Sequence, residues 1–336
     1  MGRGRQRRVR CEISSLDVKG ESRHESPVAG ADAARGFRFF FAFFFAVPLI
    51  VARMERLEMN PRKQHPPRGG AATLPWGAET AHGRFVARRK RFFVDAVLDD
   101  GSTVVAHTAN TGAMTGLLIP GAPVLFTRHD NKKRALPLEL EAIHVGTSWV
   151  ACNTIRANQT AAAVIRAGTI PELHAPGPGF VVNLLREVRC GDSRIDFCIE
   201  HQNTKTWVEV KSVTLRDGDV AAFPDVRSER ALKHLGVLTS IAQQGAARAA
   251  LLFIVQRTDT VACAAAWSVD PTYGEALRQA VRHGVMVAAV SVDISDEGIQ
   301  LAQRLPVQLD PPAPGSCGPG VLSGNDIPVA AADVAK

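Results

Sequence analysis

The segment Val188–Leu215, VRCGDSRIDFCIEHQNTKTWVEVKSVTL, holds two apolar runs, residues 194–199 and 206–213, separated by the polar stretch His201, Gln202 and Asn203. Short apolar runs around a polar break predict a β-hairpin. The first run sets Asp196 between Ile195 and Phe197, and the second sets Glu209 and Lys211 two residues apart. Residues two apart on a strand project from one face. Carboxylates and an ammonium on otherwise apolar strands are costly to bury unless they are paired or hold a metal. Two neighbouring carboxylates repel, and a divalent cation between them removes the conflict. An oxygen set of this kind suits Mg2+ or Mn2+, with Lys211 beside it to orient a water or offset charge on a phosphate.

The chain around this hairpin has 336 residues, enough for two domains. Its net charge of +7 is uneven: residues 1–70 carry 14 Lys/Arg and 7 Asp/Glu, and the remainder holds 26 of each. A body without net charge excludes a global basic field, so a nucleic-acid footprint must be built from local patches. Cys11, Cys152, Cys190, Cys198, Cys263 and Cys317 form no C-x-x-C pair, and no His cluster completes a zinc set. They read as reduced thiols of a cytoplasmic protein. Residues 1–83 are expected to lie outside the folded unit. Residues 1–36 are basic and aperiodic, and residues 61–83 are Pro/Gly-rich, as in a linker. Between them the apolar run Phe39–Ala52 is shorter than the ~20 residues a bilayer-crossing helix needs. No membrane association is expected. Residues 311–336 read as a flexible tail.

Residues 84–160 alternate short strand-like runs with turn signals such as Asp99-Asp100-Gly101 and Pro120-Gly121, which predicts a small β-barrel. Two basic groups, Arg88, Arg89, Lys90 and Arg91, and Lys132, Lys133 and Arg134, fall in loop-like positions. They are either solvated charge or phosphate contacts on two loops of one barrel. Phe85, Phe92, Phe93 and Phe126 are the aromatics available for stacking, and alternation sends most of them to the core. The motif His107-Thr108-Ala109-Asn110-Thr111-Gly112-Ala113-Met114 offers a Gly free to take positive φ and an Asn able to bond nearby backbone. Asn110 and Asn153 are read either as loop pins or as walls of a nucleic-acid groove.

Residues 161–310 alternate strands and helices, an α/β layer pattern. A short helix is expected over 160–167. Asp225, after Pro224, is expected to cap the next helix. Arg227, Arg230 and His234, with Lys233 beside them, would form a basic edge suited to holding phosphates. Residues 249–255 and 285–293 read as buried strands, with a helix over 273–283 between them.

Asp196 followed by Glu209-x-Lys211 resembles the pattern of the PD-(D/E)XK nuclease superfamily. The wording around it is more specific. Ser193-Arg194-Ile195-Asp196-Phe197, Val208–Leu215, Phe223-Pro224-Asp225, Glu229-Arg230 and Lys233-His234-Leu235 closely resemble the sugar fermentation stimulation protein A (SfsA) family, as do His107–Met114 and Asn153-Thr154. The resemblance covers roughly residues 84–309. It implies an α/β plus β fold: an N-terminal OB-fold-like barrel (84–160) followed by a restriction-endonuclease-like α/β domain (161–310). It implies Mg2+ or Mn2+ held by Asp196, Glu209 and the carbonyl of Val210, with Lys211 at the reacting phosphate. Glu187 stands where such folds often place a helping carboxylate, or pairs with Arg186 or Arg189. The expected partner is DNA, contacted also by Arg194, and the expected location is the cytoplasm, with the nucleoid. A non-catalytic DNA-binding regulator linked to sugar (maltose) metabolism stays open as the alternative.

Overall fold

A computed structural model describes residues 74–130, 134–174 and 183–312. Lys132 and Lys133, the head up to residue 73 and the tail from residue 313 lie outside the described residues. The described chain opens with β1 (Leu74–Pro75), β2 (Thr80–Arg89), β3 (Phe93–Leu98), β4 (Thr103–His107), β5 (Pro123–Arg128), β6 (Leu138–Val145) and β7 (Ser148–Ala151). Strands β2, β3, β4, β6 and β5 pair in that order, and β5 returns to β2, so five strands close on themselves. This is the expected OB-type barrel. Alternation does the work: Val94, Ala96 and Leu98 of β3 point inward and the residues between them outward. The inward set meets Phe85, Phe126, Leu138 and Leu140 in one apolar core. The barrel closes at a single parallel pair, His107 with Glu139.

Helix α1 (Thr154–Arg166) follows, then a short 3-10 turn at Pro171–Leu173. Beyond lie β8 (Asn183–Cys190), β9 (Ser193–Glu200), β10 (Lys205–Val213), β11 (Leu215–Asp217), β12 (Val220–Phe223), α2 (Glu229–Gln244), β13 (Arg248–Val255), β14 (Ala262–Ala265), α3 (Pro271–Arg282), β15 (Met286–Ile294), β16 (Gly298–Leu305) and β17 (Val307–Gln308). The main sheet runs β1-β16-β15-β13-β10-β9-β8, and β11-β12-β14-β17 form a smaller one. β13 is buried on both faces. Ala250, Leu252 and Ile254 pack with Ala157, Ala161 and Ile165 of α1. Ala249, Leu251, Phe253 and Val255 pack with Leu235 and Leu238 of α2 and Tyr273 and Leu277 of α3. One strand therefore fixes both helical layers through its two-residue period. No helix among the described residues is long and apolar enough to cross a membrane.

Three expectations change. Residues 74–83, placed in the linker by their punctuation, are folded. Leu74 pairs with Ile299 of β16, the Trp76 indole is buried and donates to the Ser295 carbonyl at 2.9 Å, and β2 starts at Thr80. The helix expected over 160–167 starts at Thr154, because the Asn153 side chain caps it by accepting from Ile155 N at 3.1 Å. Finally, Ser228, not Asp225, caps α2. Asp225 reaches instead into the barrel's motif loop, accepting from Met114 N at 3.0 Å.

Barrel and sheet domain are also joined through Glu141 of β6, only 1% exposed. Its carboxylate accepts from Thr127 Oγ1 at 2.9 Å, Asn153 Nδ2 at 3.1 Å and Arg156 of α1 at 2.7 Å. The Arg156 guanidinium also lies over the Trp76 ring at 5.2 Å. Removing one partner of a buried ion pair leaves a charge uncompensated. Glu141→Ala is therefore expected to cost roughly 3–5 kcal/mol in denaturant unfolding. A loss within error of an exposed control such as Glu79→Ala would remove Glu141 from this role.

Candidate metal and phosphate site

β10 lies between β13, its parallel neighbour along its whole length, and β9, its antiparallel neighbour for only part of it. The β9–β10 ladder runs from Lys205 opposite Glu200 to Val208 opposite Phe197, then stops. The next residues in register are Glu209 and Asp196. The strands part where the two carboxylates stand, and the opening forms a cleft of about 390 Å³. Asp196, Glu209, Val210 and Lys211 all line it, with Asn110 and Gly112 of the barrel loop, Asn158 of α1, Asp225 and Arg230.

Asp196 takes up the hydrogen-bonding groups that the broken ladder frees. Its Oδ2 accepts from Val210 N at 2.8 Å and its Oδ1 from Asn158 Nδ2 at 3.0 Å. Glu209 is 2% exposed. Its Oε1 accepts from Lys211 Nζ at 2.6 Å and contacts Nδ1 of His234. Its Oε2 is buried with no partner among the described residues. A buried carboxylate oxygen without a donor is costly, and a cation in the cleft would satisfy it. In an extended strand the N–H and C=O of one residue point to the same edge, so the Val210 carbonyl faces the side on which Asp196 accepts. Two carboxylates and a carbonyl suit Mg2+, which keeps several waters and takes few protein ligands. Among the described residues no group of three or more His, Cys, Asp or Glu side chains is gathered as a metal site.

The remaining predicted residues divide. Glu187 stands opposite Asp196 on β8, between the pairs Arg186–Phe197 and Val188–Ile195. Its φ of 52° breaks the alternation there, and its exposed side chain lies 3.8 Å from Arg194 rather than in the cleft. His234 belongs to the basic edge read as holding phosphates beside the metal centre. It is buried on α2, whose packing against β10 aims it at Glu209. Arg230 does line the cleft, while Arg227 and Lys233 are exposed outside it. In the barrel, Arg88 donates to the carbonyls of Arg91 and Gly112 at 2.9 Å each and of Asn110 at 2.5 Å, so it braces the motif loop. Arg89 forks onto Asp95, and Arg134 donates to Glu139. Lys90 and Arg91 are exposed on the β2–β3 turn. Gly112 is needed for closeness rather than for positive φ: a Cβ there would meet Asn110 Oδ1 at 3.0 Å and Asp225 Oδ2 at 3.2 Å. Asn158 and the cross-domain reach of Asp225 escaped the sequence reading, since both depend on contacts between distant segments.

Two family models match the chain: the "SfsA N-terminal OB domain" over residues 86–152 and the "Sugar fermentation stimulation protein RE domain" over residues 155–298. The chain belongs to the SfsA family. A sugar fermentation stimulation protein homolog of Syntrophotalea carbinolica is 44% identical over 234 residues, 69% of this chain and 98% of that one. The homolog of Azotobacter vinelandii is 42% identical, over 68% of this chain and 96% of that one. The solved structure of Pyrococcus furiosus SfsA, in complex with Ca2+, aligns with a TM-score of 0.63 and 25% identity, covering 71% of this chain and all of that one.

The two carboxyls of the SfsA cleft are displaced in opposite directions. Burial, then the neighbouring Glu209, push Asp196 above the ordinary Asp range, against its hydrogen bonds from Val210 and Asn158. Burial also pushes Glu209 up, but the bonds from His234 and Lys211 outweigh it and leave Glu209 below the ordinary Glu range. A raised carboxyl binds its proton more tightly in the folded state than in the unfolded one. Ionising Asp196 therefore costs stability as pH climbs from 3.8 through the raised value. In EDTA at pH 7, Asp196→Asn is expected to raise the urea midpoint, and the gain should fade as pH falls through the raised value and be gone below 3.8. A gain that does not change with pH would contradict the raised carboxyl.

Proposed function

We propose that the cleft hydrolyses phosphodiester bonds of DNA with the help of a divalent cation, Mg2+ or Mn2+. The observation carrying this reading is that Glu209, whose Oε2 has no partner among the described residues, lines the same cleft as Asp196. Asp196, Glu209 and the carbonyl of Val210 would hold the cation. When bound, it polarises a phosphoryl oxygen and lowers the pKa of a coordinated water. That a relative from Pyrococcus furiosus is a Ca2+ complex supports a divalent ion in this family.

The chain's own residues supply the rest. Lys211, fixed by Glu209 at 2.6 Å, presents a compact cation at the cleft wall, where it offsets charge building on the phosphate. His234 and Lys211 together hold Oε1 of Glu209, which leaves Oε2 without a donor among the described residues and free for the cation. Asn158 and Val210 N fix the Asp196 carboxylate, so neither acid has to reorganise when substrate arrives. Arg230, exposed on the cleft rim, is placed to meet a neighbouring phosphate. A DNA substrate implies a cytoplasmic protein that works at the nucleoid.

The test is degradation of plasmid and of single-stranded DNA with Mg2+ or with EDTA. Asp196→Ala and Lys211→Ala are expected to cut the Mg2+-dependent rate by roughly 10²–10³-fold while DNA retardation in EDTA is kept. Unchanged cleavage by Asp196→Ala would sink the assignment. Retardation without any cleavage by the unaltered protein would favour the non-catalytic regulator.

A further inference from the structure

Outside the cleft, the barrel carries an aromatic surface that the carboxylate pair does not use. Of the four candidate phenylalanines, Phe85 and Phe126 are core residues, and Phe93 is partly buried at the start of β3. Phe92 is 44% exposed at the β2–β3 turn. Its ring lies nearly parallel to that of His107, 5° between planes and 6.4 Å between centroids. His107 is held in turn by Glu139 at 2.9 Å, at the pair that closes the barrel. The exposed ring is therefore backed by a fixed partner.

Two exposed cations precede it on the turn. Lys90 and Arg91, exposed on the same turn, form no ion pair with any described residue. The nearby carboxylates of Asp95 and Glu139 are already matched by Arg89 and Arg134. The turn is also tied to the cleft. Phe92 O accepts from Thr108 N at 2.9 Å, and Arg91 O accepts from Arg88, whose other nitrogens hold the carbonyls of Asn110 and Gly112. Asn110 and Gly112 line the cleft. The turn that bears the exposed ring is thus hydrogen-bonded to the loop that lines the cleft.

An exposed π face beside cations that pair with no described carboxylate matches a ligand that offers bare base faces and phosphates together. Single-stranded nucleic acid offers both, whereas a duplex hides its base faces within the stack. We propose that Phe92 stacks a base of single-stranded DNA and that Lys90 and Arg91 hold the phosphates beside it, so that the cleft receives a single strand. The choice of DNA as ligand rests on the function proposed above, but the binding itself needs no metal.

The experiment measures binding of a fluorescein-labelled, mixed-sequence DNA oligonucleotide in EDTA, as a single strand and as a duplex, so that it is independent of any cleavage. Phe92→Leu keeps apolar bulk without a π face, and Phe92→Tyr keeps the face. At so exposed a turn position both are expected to fold, with circular dichroism as the check. The expected result is single-strand binding about tenfold weaker for Phe92→Leu, near-normal for Phe92→Tyr, and duplex binding unchanged in both. Equal loss for single strand and duplex, or no loss for Phe92→Leu, would overturn the proposal. Failure of Mg2+-dependent cleavage would overturn the hydrolytic reading and leave this one standing.

Discussion

Glu209 is a carboxylate almost wholly removed from water in the middle of an apolar sheet, and much of the surrounding architecture answers that single cost. A buried charge needs counter-charge and donors at once. Lys211 supplies one from the same strand, two residues on. His234 supplies another, and it can do so only because α2 packs its Leu235 and Leu238 onto β10 and β13. One oxygen is satisfied by these means and the other is left without a partner among the described residues. The apolar packing of α2 and the chemistry of the site are thus one requirement met by the same helix.

The parting of β9 from β10 is the second half of the arrangement. Had the ladder continued past Val208 and Phe197, Val210 N would have paired with backbone and no space would exist. Because it stops, Asp196 takes the freed amide and α1 sends Asn158 to the other oxygen. Asn153, one turn earlier, both starts that helix and donates to Glu141 of the barrel. The barrel is therefore coupled to the site through the helix that orients Asp196. The motif loop adds a second coupling, with Gly112 pressed against Asp225 and Arg88 holding the loop carbonyls. This explains why polar residues of the barrel that look like ligand contacts act as braces.

Much of the architecture was legible in the chain itself. The alternation in β3, the apolar run of β13 and the turn residues between short strands specify barrel and sheet because side-chain period and burial are local properties. Legibility failed at ends and at charges. Residues 74–83 look like linker because two strand residues and one Trp carry no periodic signal, yet they complete the sheet edge at β16. His234, Arg88 and Arg134 look like surface cations because composition cannot say whether a basic side chain faces water or a partner far away in sequence.

The sequence by itself determined the two-domain plan, the hairpin that bears Asp196 and Glu209, and the likeness to the SfsA family, since each is written in short-range pattern and residue wording. Only the tertiary structure decided where the β9–β10 ladder ends, that Glu187 turns away from the cleft while His234 turns in, and that Phe92 alone of the four phenylalanines stands exposed. Those outcomes depend on contacts between segments tens of residues apart, where packing and the cost of unpaired charge, rather than local propensity, choose the arrangement.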